Sequence, residues 1–305
     1  MLRLHSVKLR SLLSFAVLSA FFGLCCLLEM QEVNAQAPQP AKVLHFTRSQ
    51  GFEHEPAARL EDGATVSGRA LKTYLAGKNI ELVETQDGSV FDGDIDQYNA
   101  FIFYTSGNLL NQDGSKNDFA KAMSEQGFRK MLAAVRAGKG FVGIHSATDT
   151  HSGLQEDGQD IYTKFVGARF TGHGPDQFGT LTVVQPSAFP FLKEAGPKFT
   201  TWDEWYGMGN FSPDIHVLLI QETAGMDGND YNWPPFPMTW IRAEGSGRVA
   251  YTSFGHANRY FHNTENVRRI GELVEWAVGR FDADTTPNIQ TVTPGYEQMP
   301  PQRRR

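Results

Sequence analysis

Cysteine is nearly absent from this sequence, and its scarcity restricts the chemistry. The chain has 305 residues and two cysteines, Cys25 and Cys26, which are adjacent in an N-terminal apolar run. Residues 36–305 contain none. Disulfides, thiolate metal ligands and cysteine nucleophiles are therefore excluded from that whole part of the chain.

Several binding and catalytic signatures are also missing. The segment 45–56, which follows the first predicted strand, has one glycine and no P-loop lysine, so we expect no nucleotide cofactor. There is no HExxH motif, and Ser146 lacks the flanking glycines of a hydrolase elbow. A formal net charge of −6 makes nucleic acid a poor partner.

The N-terminus has the pattern of a secretory signal peptide. Basic residues precede an apolar run over 12–28, and the small residues of VNA at 33–35 offer a cleavage site. We predict a signal peptide over 1–35, a linker over 36–41, and export to the periplasm or the medium without stable membrane insertion after cleavage. An uncleaved anchor is the alternative, because the run is near the lower limit for a spanning helix.

The first half of the remaining chain has the pattern of an α/β fold. Apolar runs at 42–48, 80–85, 100–106 and 141–145 read as strands, with helical periodicity at 65–77 and 118–140. Runs that are apolar on both faces predict a mostly parallel sheet with helices on both sides. Ligands of such sheets bind beyond the carboxyl ends of the strands.

The second half alternates more strongly between apolar and polar residues. Runs at 178–185, 214–223, 237–245 and 247–255 predict mixed or antiparallel extensions of the same sheet. A helix at 263–279 closes a single domain over 42–280. The polar segment 281–305 is predicted to be a tail without its own core.

Three histidines and an acidic pair are the candidates for chemistry. His145 and His256 end predicted strands, His173 lies in a glycine-rich loop, and Asp203 and Glu204 lie in the aromatic segment TWDEWYG. Imidazoles and a carboxylate at strand ends are suited to binding a divalent metal or to dividing acid and base work. Only the fold can gather them, because their spacing matches no compact metal motif.

Each candidate also has an ordinary structural interpretation. His145 can be a core histidine bonded to a backbone carbonyl, and His256 can cap a turn. His173 can be simply exposed, and His54 can lie in a solvated loop. Asp203 can cap a helix.

Six blocks in the chain together resemble the ThuA-like (trehalose utilisation) family over residues 42–280. They are VLHFTRSQGFEHE, GFVGIHSATDT, YTKFVGARFTGHG, DEWY, MTWIRAEGSGRVAYTSFGH and WAVGR. The resemblance implies a flavodoxin-like fold related to class I glutamine amidotransferases. His145 stands where those relatives present a catalytic cysteine on a sharp turn, so thioester chemistry is not available here.

The resemblance also implies an enzyme of carbohydrate catabolism that acts on a keto-sugar or related glycoside by removing a proton next to a carbonyl. We expect Glu204 to be a base or metal ligand, His145 and His256 to be ligands or polarising groups, and His173 to be a further ligand or acid. The donor types favour zinc or manganese. The family often has proline directly after the histidine at the position of His173, whereas here Gly174 follows it. This departure leaves the geometry of the loop, and with it the role of His173, open. Substrate contacts are expected from His54, Asp149, Trp205 and Tyr206.

Two other functions stay open at this point. A non-catalytic carbohydrate-binding or interaction protein would use aromatic loops around Trp205 and Trp233, with structural histidines. A glycosidase would need two carboxylates from Asp149, Asp203 and Glu204 at a suitable separation. The expected partner is a small carbohydrate in each case, and a homo-oligomer is one of the open assembly states.

Overall fold

The protein is known here from a computed structural model, which describes residues 39–113, 120–185 and 187–298. The predicted signal peptide, both cysteines and the terminal arginines at 303–305 lie outside the described residues. The strands are β1 (Ala41–Phe46), β2 (Ile80–Thr85), β3 (Ala100–Phe103), β4 (Gly107–Asn108), β5 (Gly140–Ile144), β6 (Thr150–His151), β7 (Gln155–Glu156), β8 (Gln159–Asp160), β9 (Arg169–His173), β10 (Gln177–Val183), β11 (Lys198–Asp203), β12 (Tyr206–Gly209), β13 (His216–Glu222), β14 (Phe236–Glu244) and β15 (Gly247–Thr252). The helices are α1 (Val66–Ala76), α2 (Glu125–Arg136), α3 (Ile161–Val166), α4 (Pro190–Ala195), α5 (Asn258–Phe261), α6 (Thr264–Ala277) and α7 (Ile289–Val292).

A nine-stranded sheet organises the fold, in the order β11-β10-β13-β14-β15-β5-β3-β1-β2. The last five of these strands are mutually parallel. Numbered among themselves along the chain, they follow the order 2-1-3-4-5 of flavodoxin-like sheets. The predicted fold class is therefore confirmed, and the carboxyl ends of β1, β3, β5 and β15 meet at one edge.

The other four strands are antiparallel and extend the sheet, as the alternating second half predicts. β15 differs from that expectation because it pairs in parallel with β5 and antiparallel with β14. It thus joins the two halves. The sequence pattern does not predict the edge strand β11, since KFTTWD has little apolar character. β9 and β12 form a separate antiparallel pair that places His173 opposite Tyr206.

The helices begin at polar caps. Thr65 Oγ1 accepts the N–H of Gly68 at 2.9 Å to start α1, and Asn263 starts α6 in the same way. α2 begins at Ser124, whose Oγ accepts the N–H of Gly127 at 2.9 Å. The prediction of a helix over 118–140 was therefore too long at its N-terminal end, because Ser124 takes the capping position.

Apolar side chains cover both faces of the sheet. On β3, Phe101 and Phe103 belong to the core under α2 and α3, whereas Ile102 belongs to the core under α1 and α6. Neighbours Phe141 and Val142 on β5 divide in the same way. This alternation explains why the two central parallel strands, β3 and β5, have no polar side chain and are buried at every position.

The described residues after 280 are not detached from the domain. Ile289 is fully buried and Tyr296 is nearly so, both in the core under α2 and α3. The Asn288 side chain accepts the N–H of Val217 at 2.7 Å. The expectation of a tail is thus corrected: a few anchors within a polar segment pack on the domain core. Among the described residues, no helix has the length and apolarity needed to cross a membrane.

Candidate active site

His145 lies at a strained turn directly after β5. Its φ of +46° is in the left-handed region that side chains with a Cβ rarely adopt. The ring is fully buried, and Nδ1 donates to the carbonyl oxygen of Ser253 at 2.7 Å. Nε2 faces Glu204 Oε2 at 3.4 Å. The core-histidine interpretation therefore holds for one ring nitrogen, and the other is presented to the site.

Asp203 ties the end of β11 to the turn that follows β15. Its carboxylate accepts the N–H groups of Gly255 at 2.9 Å, His256 at 3.2 Å and Glu204 at 2.9 Å. Burial raises the pKa of Asp203 despite these bonds. The helix-cap interpretation is wrong, because DEWY connects two strands. Asp203 instead fixes the backbone of two residues whose side chains enter the site.

Glu204 is the centre of the histidine group. Its carboxylate lies 3.4 Å from His145 Nε2, 3.0 Å from His173 Nδ1 and 3.2 Å from His256 Nδ1. Burial alone would raise the pKa of Glu204, but the three imidazoles outweigh it and hold that pKa well below its ordinary value. In return, the hydrogen bond that the half-exposed His173 ring donates to Glu204 raises the pKa of His173 to about 9.

His54 enters the same group from the loop after β1. It is buried, which contradicts the solvated-loop interpretation. Its ring packs edge-to-face on His145 and His256, with centroids 4.7 and 5.4 Å apart, and its Nε2 lies 3.3 Å from the Tyr206 hydroxyl. Burial, followed by the charges of His145 and His256, keeps the pKa of His54 well below its ordinary value.

Four of these residues have the arrangement of a metal-binding group. One donor atom from each of His54, His145, Glu204 and His256 lies within 4.8 Å of the others. Nδ1 of His54 is buried without a hydrogen-bond partner, and Nε2 of His145 and Nδ1 of His256 face Glu204 at 3.4 and 3.2 Å without hydrogen-bond geometry. Such atoms are costly unless something binds them. The bond from His145 Nδ1 to a carbonyl is also what orients a ligating histidine. The residues therefore fit a divalent metal of the zinc or manganese type.

A pocket of about 220 Å³ opens onto this group. His54, Glu204 and His256 reach it from the donor group, and His173 forms part of its rim. The remaining lining residues are Phe52, Asp149, Phe170 and Tyr206. A larger cavity of about 410 Å³ lies elsewhere, but its charged residues pair with one another, as Arg242 does with Asp214 at 2.7 Å. Chemistry rather than size therefore identifies the smaller pocket as the candidate active site.

A family model described as trehalose utilisation matches residues 42–277. The chain belongs to the ThuA family. Membership indicates a carbohydrate-related role. The fold expected from the family agrees with the sheet described above. None of the curated proteins compared with the chain matches it significantly.

Solved structures of ThuA-like proteins share the fold. One from Bacteroides uniformis ATCC 8492 has a TM-score of 0.60 and 19% sequence identity, covering 84% of this chain and 98% of its own. Another from Parabacteroides merdae ATCC 43184 has a TM-score of 0.53 and 18% identity, covering 79% and 91%. At such identities the likeness shows the fold alone.

Most predicted site residues of this ThuA protein meet at the pocket, but Trp205 does not. Its indole is fully buried, donates to the Gln177 carbonyl at 2.9 Å and packs against Phe254. A ring without solvent contact cannot stack on a sugar, so its expected substrate role is corrected to a core role. Trp233 is half-buried and is not among the pocket-lining residues.

Two aromatic residues of the pocket were missed by sequence reasoning. Phe52 is 62% exposed and packs edge-to-face on His54, and Phe170 lies 4.2 Å from Tyr206 between ring centroids. Phe52 had a usable signal, since an aromatic residue two positions before a histidine, in the loop after a parallel strand, can form the wall of a ligand pocket. Phe170 had none, because FTGH reads equally well as a buried strand.

Proposed function

We propose that this ThuA protein is an exported enzyme of carbohydrate catabolism that removes a proton next to the carbonyl of a keto-sugar or related glycoside, with help from a divalent metal. The observation that carries the proposal is the convergence of two buried histidines, the partly buried His256 and Glu204 beneath a pocket of sugar size. Export is supported by the sequence pattern of the N-terminus, and the sugar by family membership.

The metal would be held by His54, His145, Glu204 and His256. When bound, it supplies a Lewis acid that stabilises the oxyanion developed at the carbonyl. Between the two roles expected for Glu204, ligand is favoured over base, because its carboxylate already contacts three imidazoles. Asp203 supports both Glu204 and His256 through their backbone N–H groups.

Proton transfer then falls to residues that line the pocket outside the donor group. His173 has a half-exposed ring on the rim, bonded to Glu204, which suits it to hand a proton to substrate. Asp149 lines the same pocket and is our choice for the base. Abstraction is feasible next to a ketone, since the resulting charge is delocalised onto the carbonyl oxygen.

The aromatic walls suit a sugar ring. Phe52, Phe170 and Tyr206 line the pocket, and their rings offer apolar surface to the C–H groups of a pyranose. Isomerisation and glycosidic-bond elimination both begin with the same proton abstraction. The identity of the product then distinguishes them.

The test combines metal analysis of the purified protein with a screen of oxidised and unoxidised disaccharides. We expect about one divalent ion per chain and turnover only of the keto forms. His145→Ala and Glu204→Gln should lose both metal and turnover, while the exposed His262→Ala serves as the matched histidine control. Folded variants of His145 or Glu204 with wild-type turnover would refute these roles.

Calorimetry separates the non-catalytic alternative. Tight disaccharide binding without turnover, unaffected by a chelator, would favour a carbohydrate-binding protein on this fold. Binding that weakens with chelator and is accompanied by product would support the enzyme.

A further inference from the structure

Two large aromatic side chains are exposed together on the outer strands of the sheet. Phe178 on β10 is 65% exposed and Trp202 on β11 is 37% exposed. They are direct cross-strand partners, and their rings meet edge-to-face with centroids 5.0 Å apart. With Phe52, they are the exposed large apolar residues of the described chain.

The rest of this face on β10 and β11 is polar. The next pair along the same face is Thr180 and Thr200, whose hydroxyls lie 3.1 Å apart. Beyond it, Lys198 and Glu222 form an ion pair at 2.8 Å. The apolar surface is therefore confined to the end of β11 that leads directly into Asp203 and Glu204. General surface hydrophobicity does not explain such a placement.

A chain of contacts joins the aromatic pair to the pocket. The Arg259 guanidinium lies over the Trp202 ring at 5.2 Å, and its Nη2 contacts Asp176 at 3.2 Å. Asp176 Oδ1 in turn lies 4.0 Å from Nε2 of His256. The surface from Trp202 to His256 thus begins with an aromatic ring and continues with a guanidinium and a carboxylate, both of which can form hydrogen bonds.

We propose that Phe178, Trp202, Arg259 and Asp176 form a second sugar subsite, which binds the ring of a disaccharide-like glycoside that is not undergoing proton abstraction. This inference rests on the proposed function for the reacting ring, and it adds the location of the other ring. A pyranose presents an apolar C–H face and a belt of hydroxyls. The indole suits the first, and the guanidinium and carboxylate suit the second.

Binding is tested without any reliance on turnover. Trehalose and glucose are titrated into the full-length protein while tryptophan fluorescence is followed, since Trp202 is the most exposed indole of the described residues. We expect a saturable change with trehalose at concentrations where glucose gives little. Trp202→Phe should abolish the change, and Thr200→Ala on the same polar face should retain it. A wild-type signal that survives in Trp202→Phe overturns the subsite.

Kinetics with keto substrates supply the second measurement. For Trp202→Ala and Arg259→Ala, the ratio of kcat/KM for 3-keto-trehalose to that for methyl 3-keto-glucoside should fall about tenfold, as expected for loss of one stacking or charged contact. Equal losses on both substrates would overturn the proposal. If no keto-glycoside is turned over, the reaction proposed above fails, and the titration alone decides the subsite.

The other occupant to exclude is a second copy of the chain, because β11 is an edge strand. Light scattering after size exclusion measures this directly. A dimer that becomes a monomer in Trp202→Ala, with no response to trehalose in either protein, overturns the subsite. If wild type and Trp202→Ala have the same mass and the wild type responds to trehalose, the subsite is supported.

Discussion

Replacement of Asp203 by asparagine is the sharpest test of how the site is built. The carboxylate accepts three backbone N–H groups: those of Glu204 and His256 at Oδ1 and that of Gly255 at Oδ2. An amide of the same shape keeps only one oxygen. In its best orientation it retains two bonds and turns its NH₂ group toward the Gly255 N–H.

The magnitude follows from two opposing contributions. Loss of a buried hydrogen bond to a charged acceptor costs about 1.5–3 kcal/mol, and the two remaining bonds lose their charge assistance. The raised pKa of Asp203 shows that burial opposes its charge, and asparagine is free of that penalty. We therefore expect Asp203→Asn to lower the free energy of unfolding by about 1–3 kcal/mol.

Urea unfolding provides the assay, with Asp157→Asn as the control. Asp157 is 87% exposed and pairs with Lys164 at 3.2 Å, so its loss should cost less than about 0.5 kcal/mol. Metal affinity is the second readout and should fall about 10- to 100-fold in Asp203→Asn, because the backbone under two ligands is loosened. The proposed role of Asp203 is refuted if Asp203→Asn is as stable as Asp157→Asn and binds metal as tightly as the wild type.

Three further predictions concern the rest of the fold and the donor group. Ile289→Ala should lower stability by about 2–4 kcal/mol, although it lies in a segment of polar composition, because its side chain is fully buried in the main core; thermal unfolding measures this, and a loss below about 0.5 kcal/mol would show that the segment does not pack there. Trp205→Phe should destabilise by about 1–3 kcal/mol through the lost bond to Gln177 while leaving the KM for sugar near its wild-type value, and a large change in KM would return Trp205 to the binding site. Addition of EDTA should lower the Tm by several degrees and abolish turnover, both restored by zinc or manganese, whereas a Tm indifferent to chelator would argue against a resident metal.

Much of the fold could be predicted from the sequence because the physical signals are local. Strands β3 and β5 are apolar on both faces, and the spacing of Leu71 and Leu75 indicates a helix buried on one side. The edge strand β11 carries no such signal, since only its inner face is covered. Likewise, the cap at Ser124 competes with good helix formers before it, which the periodicity alone does not resolve.

The candidate site was predictable in part for a similar reason. His145 and His256 follow strands, and the carboxyl ends of strands in such a sheet share one edge. The expectation that His54 lies in a solvated loop was wrong, because the loop after β1 places it at that edge of the sheet. The substrate role predicted for Trp205 was wrong because the direction of its side chain, between β11 and β12, is set by tertiary contacts with Gln177 and Phe254.

The distribution of the four donors along the chain has a consequence for biogenesis. They come from residues 54, 145, 204 and 256, on the loops that follow β1, β5, β11 and β15. A nascent or proteolysed chain that lacks any one of these loops would lack one donor of the proposed metal site. If the proposed metal binds, its occupancy would therefore indicate that synthesis has passed β15 and that the edge strand β11 has joined the sheet that contains β1, β5 and β15.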